Sequence, residues 1–233
     1  MIKALIFDFV QTLGDAASGY KDGEKNSQNK LIEKFGITDT EKFLEDYRAV
    51  RKKHFLAADF SRKNQWLELQ EMYGVDAGED FLNNLENEYW AFVINAMKLF
   101  PEVEEVLVSL GKKYKLGMIC NSQVDGASRA LQSPEFGRAQ KFFDHCILSG
   151  ENGVPAKPSP VPFKMMLEAL DVKPEEAIFI GDDYRVDIEG AAGAGISQVW
   201  LKHYSVKRNW PENTMNVPEI TDLRQLADLD ILK

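Results

Sequence analysis

Three charged residues that lie far apart in the sequence have the types needed to bind a phosphoryl group and a divalent cation. Asp8 ends the apolar run at residues 2–7, Lys157 lies in a Lys-Pro-Ser-Pro loop, and Asp182 follows the apolar run at 177–181. Aspartates can bind Mg²⁺, a hard cation that takes oxygen ligands. The metal and the lysine together offset the charge of a phosphoryl group, so that a carboxylate can attack phosphorus. Such an attack forms an aspartyl-phosphate, which water then hydrolyses.

The sequence around these residues alternates between short apolar runs and amphipathic segments. Strands are predicted at 2–7, 116–120, 146–149, 177–181 and 198–201, and helices at 101–113, 125–132, 160–170, 185–194 and 220–229. This alternation predicts the α/β fold class, with a Rossmann-like parallel sheet core covered by helices on both faces. Such sheets bind ligands at the carboxyl ends of their strands. Asp8, Asn121 and Asp182 would meet there, with Thr12 and Asp187 shortly after them.

A block without strand-like alternation follows the first predicted strand. Apolar residues recur at helical spacing from residue 31 to about 98, which predicts four or five helices. Thr38 and Glu41 have the spacing of a capping box. Gly36 and Gly74 stand where helix C-termini are expected.

The predicted helical block divides the chain into two domains. The polar segment 12–29 contains glycines and is predicted to be a loop that leads away from the first strand. We therefore expect an α/β core domain formed by residues 1–14 plus 99–233, and an inserted all-helical cap domain formed by residues 15–98.

Composition excludes several classes of protein. The 233-residue chain has a net charge of −9 and a pI near 5.0, which disfavours binding to nucleic acid because that binding depends on basic surface. No apolar run approaches the roughly 18 residues needed to span a membrane. The N-terminus lacks the long apolar stretch and the small-residue cleavage site of a signal peptide, so none is expected. Cys120 and Cys146 are too few for a disulfide scaffold, so a cytoplasmic protein with reduced thiols is expected. Nothing in the sequence indicates an oligomeric state.

The motifs together resemble the haloacid dehalogenase-like superfamily over essentially the whole chain, and they are specific jointly rather than singly. The matching segments are Ile6-Phe7-Asp8 with Thr12-Leu13, the strand end at Asn121, Phe143-Asp144 before Ser149 and Gly153, Lys157-Pro158 before Pro160 and Phe163, and Ile180-Gly181-Asp182-Asp183 before Asp187. Most members that resemble this chain are Mg²⁺-dependent phosphatases acting on small phosphorylated metabolites, and a helical cap closes over the substrate.

The resemblance implies a role for each matching residue. Asp8 and Lys157 would be catalytic, Asp8 as the nucleophile and Lys157 as the group that steadies the nucleophile and the phosphate. The implied phosphate-binding residues are Thr12, Cys120, Asn121 and Lys157. The implied Mg²⁺ ligands are Asp8, Asp182, Asp187 and the backbone carbonyl of Val10.

The chain departs from the family pattern at Val10. Phosphatases of the family carry a second aspartate there, which protonates the leaving oxygen and then activates water. Valine can do neither, and general acid–base catalysis is typically worth about 10²–10⁴-fold in rate. Gln11 can form hydrogen bonds but cannot carry protons at neutral pH. Cys120 also stands where a serine or threonine usually contacts the phosphate, and a thiol is a weaker donor.

Three hypotheses follow from this departure. The first is a phosphatase-like hydrolase that is slow, or that prefers good leaving groups such as acyl phosphates. The second is another chemistry on the same scaffold: dehalogenases of the family lack the acidic pair found here at 182 and 183, and phosphonate cleavage would need a cap lysine such as Lys52 or Lys53. The third is a noncatalytic protein that binds phosphate, metal or a partner.

Two further residues are weaker candidates for the site. Asp15 follows the nucleophile closely and could replace the missing acid, and His54 lies in the predicted cap beside Lys53 and Phe55 and could touch substrate. Both have ordinary structural explanations, as a turn residue and a surface histidine.

Overall fold

The computed structural model describes residues 1–121 and 132–232. The strands are β1 (Ala4–Phe7), β2 (Gly14–Asp15), β3 (Lys98–Leu99), β4 (Lys115–Asn121), β5 (His145–Ser149), β6 (Ala177–Gly181), β7 (Ser197–Leu201) and β8 (Glu219–Ile220). The helices are α1 (Ala17–Phe35), α2 (Thr40–Leu56), α3 (Arg62–Tyr73), α4 (Glu79–Ala96), α5 (Val103–Leu110), α6 (Pro134–Gln140), α7 (Pro160–Leu170) and α8 (Gly190–Gly193).

Six strands form one parallel sheet in the order β5-β4-β1-β6-β7-β8. Phe7, the last residue of the central strand β1, lies opposite Met118 of β4 and Ile180 of β6. The residues that follow these three strands therefore emerge side by side at one edge of the sheet. The predicted α/β class and its parallel sheet are confirmed.

Both faces of the central strands β1 and β6 are buried, as expected where helices cover a parallel sheet. Successive side chains of a strand point to opposite faces, so Phe7 belongs to the cluster that includes Leu107 of α5, while Ile6 belongs to the cluster that includes Phe163 of α7. This packing fixes the direction of β1 and, with it, the position of the residue that follows Phe7.

The helical insert runs from α1 to α4 and lies between two short strands. Gly14 of β2 pairs with Leu99 of β3 in antiparallel fashion, so the chain leaves and re-enters the sheet domain at adjacent points. The predicted domain boundaries at residues 14/15 and 98/99 fall within this pair of strands.

The predicted loop at 12–29 is wrong from residue 17 onward, where α1 begins. Its small residues let α1 approach α4 closely: a Cβ on Gly19 would lie 2.5 Å from the backbone oxygen of Phe92, and one on Gly23 would lie 2.9 Å from the ring of Tyr89. Tertiary packing therefore outweighs the poor helix propensity of glycine.

Three further predictions need correction. The predicted helix at 220–229 is instead the edge strand β8 followed by a 3₁₀ segment, Leu223–Asp228, because Lys202 donates its backbone N–H to Ile220 and draws that residue onto the sheet. The N-cap of α2 is Asp39 rather than Thr38. The predicted helix at 185–194 is a π-helical turn, Tyr184–Glu189, that continues into α8.

Other predictions are confirmed or lie outside the described residues. Gly36 and Gly74 cap the C-termini of α1 and α3 in the left-handed conformation. Most of the predicted helix at 125–132 lies outside the described residues. Among the described residues, no helix combines the length and the apolar character that a transmembrane span requires.

Candidate active site

Lys157 is the central cation of the site at the carboxyl edge of the sheet. Its Nζ lies 2.7 Å from Asp8 Oδ1 and 2.8 Å from Asp187 Oδ1, and it donates a third hydrogen bond of 2.9 Å to the backbone oxygen of Ile119. The side chain is only 1% exposed. Burial alone would lower the pKa of Lys157, but the charges of Asp187 and Asp8 outweigh it and raise that pKa above its usual value. The lysine is therefore a permanent buried cation.

Three buried carboxylates surround this lysine. Asp8 follows β1, Asp182 follows β6 and Asp187 lies in the π-helical turn, and each offers an oxygen atom within 4.8 Å of the other two. Gly181 makes this approach feasible, since a Cβ there would lie 2.5 Å from the side chain of Asp187. The residues that the sequence predicted as acidic metal ligands thus lie together in one cluster.

The cluster carries more negative charge than its neighbours balance. Burial raises the pKa of Asp187 to about 7, against the lowering effect of Lys157, and the charge of Asp8 raises it further. Burial also raises the pKa of Asp182 well above its usual value, with Arg208 opposing the shift. A donor set of carboxylate oxygens with a deficit of positive charge fits a hard divalent cation such as Mg²⁺.

The side chain and carbonyl of Asp182 are held by three residues from other parts of the chain. Thr12 donates a 3.2 Å hydrogen bond to Asp182 Oδ1, and Arg208 Nη1 lies 2.9 Å from Asp182 Oδ2. Trp200 Nε1 donates a hydrogen bond of 2.8 Å to the backbone oxygen of Asp182. Thr12, predicted to contact phosphate, is thus bonded to a predicted metal ligand. Sequence reasoning missed Arg208, which lies in a polar loop without any recognisable motif.

Asn121 and Cys120 lie beside Lys157 at the end of β4. Asn121 accepts from the backbone N–H of Lys157 at 2.8 Å and donates to its backbone oxygen at 3.0 Å, and Ser149 donates a further bond of 2.7 Å to the same amide oxygen. The amide therefore positions the loop that carries Lys157. Cys120 is buried, and burial followed by the charge of Asp8 raises the pKa of its thiol, which therefore stays protonated.

A cavity of about 300 Å³ lies over this cluster, between the sheet and the helical insert. The residues that line it from the sheet side include Asp8, Val10, Cys120, Asn121, Lys157, Asp182, Asp187 and Arg208, and from the insert Tyr20, Arg51, Phe55, Asp59, Arg62 and Gln65. Val10 therefore presents an alkyl side chain to the cavity.

Asp15 does not lie among the described residues that line the cavity. Its Oδ1 accepts from the backbone N–H of Ala17, the first residue of α1, at 2.7 Å and from Gln11 Nε2 at 3.2 Å, so the carboxylate is bonded at the start of the helix. His54 also lies outside the lining, with its two ring nitrogens 2.8 Å from Asp59 and 2.9 Å from Glu68. Neither residue is placed to act on a substrate in the cavity.

The lysines considered for a Schiff base also lie away from the cavity. Lys53 is exposed and pairs with Glu68 at 2.9 Å, and Lys52 is exposed as well. The lysine that does line the cavity is Lys157, which its two carboxylate partners hold as a cation.

Sequence reasoning also missed the polar wall that the insert contributes to the cavity. Buried Arg62 pairs with Glu24 at 3.0 Å, and Arg51 reaches the same carboxylate oxygen at 3.5 Å. Gln65 is 3% exposed, and among the described residues its Oε1 has no hydrogen-bond partner. A polar ligand group would satisfy this oxygen, since buried polar atoms are rarely left unpaired.

Arg185 joins the two walls of the cavity. It donates to the backbone oxygens of Phe55 and Leu56, the latter at 3.3 Å, and its guanidinium lies 5.0 Å from the centre of the Phe55 ring. Because Arg185 belongs to the same π-helical turn as Asp187, this contact joins the insert to the segment that carries one of the three clustered carboxylates.

Comparisons with known proteins agree with this geometry. The family model for haloacid dehalogenase-like hydrolases matches residues 2–195. A glyceraldehyde 3-phosphate phosphatase from Pyrococcus furiosus is 30% identical over 219 residues, covering 87% of this chain and 81% of the relative. An N-acylneuraminate-9-phosphatase from Mus musculus is 25% identical over 211 residues, covering 86% and 82%.

Solved structures are similar over nearly the whole chain. A 2-haloacid dehalogenase from Pseudomonas syringae pv. Tomato DC3000 has a TM-score of 0.65 at 25% identity, covering 100% of this chain and 98% of that one. A HAD phosphatase from Thermococcus onnurineus has a TM-score of 0.68 at 21% identity and covers 97% of both chains, which supports the shared fold.

Proposed function

Because this chain belongs to the haloacid dehalogenase-like hydrolase family, we propose that it is a Mg²⁺-dependent phosphatase acting on a small phosphorylated metabolite. The observation that carries the proposal is the buried cluster in which Lys157 bridges Asp8 and Asp187, with Asp182 close by. A nucleophilic aspartate that is paired with a lysine, beside carboxylates that can bind a cation, suits phosphoryl transfer better than halide displacement. Halide displacement needs no such cluster of carboxylates.

Asp8 is the proposed nucleophile. One of its carboxylate oxygens forms a bond to phosphorus while the bond from phosphorus to the leaving oxygen breaks, which leaves an aspartyl-phosphate. Lys157 holds Asp8 in place and offsets the charge of the incoming phosphoryl group. Water then attacks the aspartyl-phosphate, which releases inorganic phosphate and restores Asp8.

The side chains of Asp8, Asp182 and Asp187, with the backbone carbonyl of Val10, would hold the metal. The metal would supply positive charge at the phosphoryl oxygens. Thr12, Cys120 and Asn121 stay our candidates for phosphate contacts. Because Thr12 also donates to Asp182 and Asn121 to the Lys157 loop, we propose that they act as well by holding these charged groups in place.

Val10 shapes the substrate preference that we propose. Nothing at this position can protonate a leaving oxygen, so substrates whose leaving group needs little protonation, such as acyl and aryl phosphates, should react best. The polar insert wall, with Arg62 and Gln65, suits a small metabolite with a polar remainder. The names of the relatives, which are phosphatases of a triose phosphate and of a sugar-acid phosphate, agree with this size class.

The insert formed by residues 15–98 is, on this proposal, the cap that closes over the substrate, and Arg185 supplies a contact between this cap and the sheet domain. We also propose a reducing, cytoplasmic setting. The free thiols of Cys120 and Cys146 support it, because disulfides persist mainly in oxidising compartments.

Hydrolysis of p-nitrophenyl phosphate with Mg²⁺ tests the proposal. Wild-type protein should release nitrophenol, Asp8→Asn should abolish the release, and the matched control Asp15→Asn should retain it, since Asp15 lies outside the cavity. The alternative is a noncatalytic protein that binds phosphate. Absence of turnover in the wild type, with phosphate binding retained, would support that alternative.

A further inference from the structure

Arg208 forms an ion pair with Asp182, one of the proposed metal ligands. Its Nη1 lies 2.9 Å from Asp182 Oδ2, and its Nη2 donates to the backbone oxygen of the same residue. The Asp182 side chain is 5% exposed and the Arg208 side chain 33% exposed. A guanidinium is charged at every accessible pH, so Arg208 places a fixed positive charge beside Asp182 in the absence of a competing cation.

Arg208 is also anchored away from the carboxylate. Its guanidinium lies 4.2 Å from the centre of the Trp210 ring, and Trp210 packs edge-on against Trp200 at 5.8 Å. Trp200 in turn donates to the backbone oxygen of Asp182. The loop that carries Arg208 is therefore built against the residue whose carboxylate it neutralises.

The two oxygens of the Asp182 carboxylate have different partners. Thr12, a neutral donor, takes Oδ1, while the cation takes Oδ2. A hydroxyl can share its acceptor oxygen with a metal ion without electrostatic conflict. A guanidinium cannot, because two cations at one carboxylate oxygen repel each other at short range.

We propose that Arg208 is a positioning residue that serves as the internal counter-cation of Asp182, and that its positive charge beside Asp182 Oδ2 opposes the binding of a divalent metal to this carboxylate. The proposal rests on the metal site of the proposed function. Its consequence is counterintuitive: removal of an arginine from the site should tighten metal binding while making the metal-free protein less stable. Arg208 thus keeps Asp182 in place when no metal is bound, at the expense of metal affinity.

Calorimetric titration with Mg²⁺ alone, without substrate, tests this opposition. Arg208→Gln should bind Mg²⁺ about 10-fold or more tightly than wild type, because a repelling charge is removed. Arg208→Lys, which keeps the charge but loses the fork geometry, should lie between them. The matched control is Lys207→Gln, which removes one positive charge from the exposed neighbouring position and should bind Mg²⁺ as the wild type does.

Thermal unfolding gives an independent readout. In EDTA, Arg208→Gln should melt below Lys207→Gln, and added Mg²⁺ should raise its melting temperature by more than it raises that of the control. If Arg208→Gln does not fold, the melting temperatures of Arg208→Lys and wild type, in EDTA and with added Mg²⁺, are compared instead.

Mg²⁺ affinity in Arg208→Gln that is equal to or weaker than in Lys207→Gln would overturn the inference. Absence of Mg²⁺ binding in every variant would overturn it as well. Turnover of p-nitrophenyl phosphate is measured separately, so a failure of this inference is distinguishable from a failure of the proposed phosphatase activity.

Discussion

Replacement of Lys157 by methionine should destabilise the metal-free protein by about 3–5 kcal/mol, the usual cost of removing one partner from a buried ion pair. The lysine is 1% exposed and neutralises Asp8 and Asp187 at 2.7 and 2.8 Å. Methionine keeps most of the side-chain volume beside the ring of Phe179, so the loss measures charge rather than packing. The two carboxylates would then be buried without their cation.

The matched control is Lys202→Met. Lys202 pairs with Glu219 at 2.7 Å and also lies over an aromatic ring, but its partner is 37% exposed. Loss of a partly exposed pair of this kind costs about 1 kcal/mol or less. Urea unfolding at neutral pH in EDTA, followed by circular dichroism, gives both free energies of unfolding.

The pH dependence of the loss provides a second check. Burial raises the folded pKa of Asp187 to about 7, above its unfolded value of about 3.9. The folded protein therefore binds more protons between these values, and this residue's contribution to the free energy of unfolding falls as pH rises through that window. Lys157 lowers this pKa, so its removal should raise the pKa of Asp187 further. The free energy of unfolding of Lys157→Met should therefore fall more steeply than that of the wild type as the pH rises.

The loss of unfolding free energy in Lys157→Met, relative to wild type, should accordingly be larger at about pH 8 than at about pH 5, where Asp187 takes up a proton. Added Mg²⁺ should recover part of the deficit at the higher pH. If Lys157→Met loses no more stability than Lys202→Met at about pH 8, the lysine does not balance a buried acidic cluster and the electrostatic account of the site is wrong.

Three other perturbations test separate parts of the account. Val10→Asp should raise turnover of an alkyl phosphate by roughly 10²-fold or more, with a smaller gain on an acyl phosphate; equal gains on both substrates would contradict the leaving-group argument. Gly181→Ala should displace Asp187, because the new Cβ would lie 2.5 Å from its side chain, and should therefore weaken Mg²⁺ binding. In the control Gly193→Ala the new Cβ would lie in open space, so equal Mg²⁺ affinities in the two variants would refute the packing argument. Arg185→Gln should raise KM several-fold in steady-state kinetics while leaving the melting temperature nearly unchanged, because it removes a contact between the insert and the sheet domain; an unchanged KM would show that this contact does not hold the proposed cap over the substrate.

The sheet and the acidic cluster were predictable because they depend on local patterns that agree with one another. Apolar runs of strand length stand before Asp8, Asn121 and Asp182, and parallel pairing places the ends of such runs at one edge. The order of the sheet strands was not predicted, because the alternation of strands and helices does not specify on which side of β1 each later strand pairs. The predictions that were confirmed are therefore those for which residue propensity, hydrophobic periodicity and chain topology indicate the same structure.

The missed features depend on contacts between distant segments. The segment at 17–29 looks like a loop because glycine and polar residues are common in it, whereas Gly19 and Gly23 serve close packing of α1 on α4. Arg208 reaches Asp182 only through the path of the loop after β7. The Arg62–Glu24 pair likewise joins two helices of the insert, and no spacing within the sequence indicates it.

The central claim is that a carboxylate of Asp8 attacks phosphorus, and trapping of the phosphoryl-enzyme tests it most directly. Protein incubated with Mg²⁺ and p-nitrophenyl phosphate is quenched in acid and measured by intact-protein mass spectrometry. Because Val10 cannot activate water, the intermediate should accumulate, with one added phosphoryl group that fragmentation assigns to Asp8 and that Asp8→Asn lacks. Continued turnover without an added phosphoryl group, or a group assigned to another residue, would contradict the account.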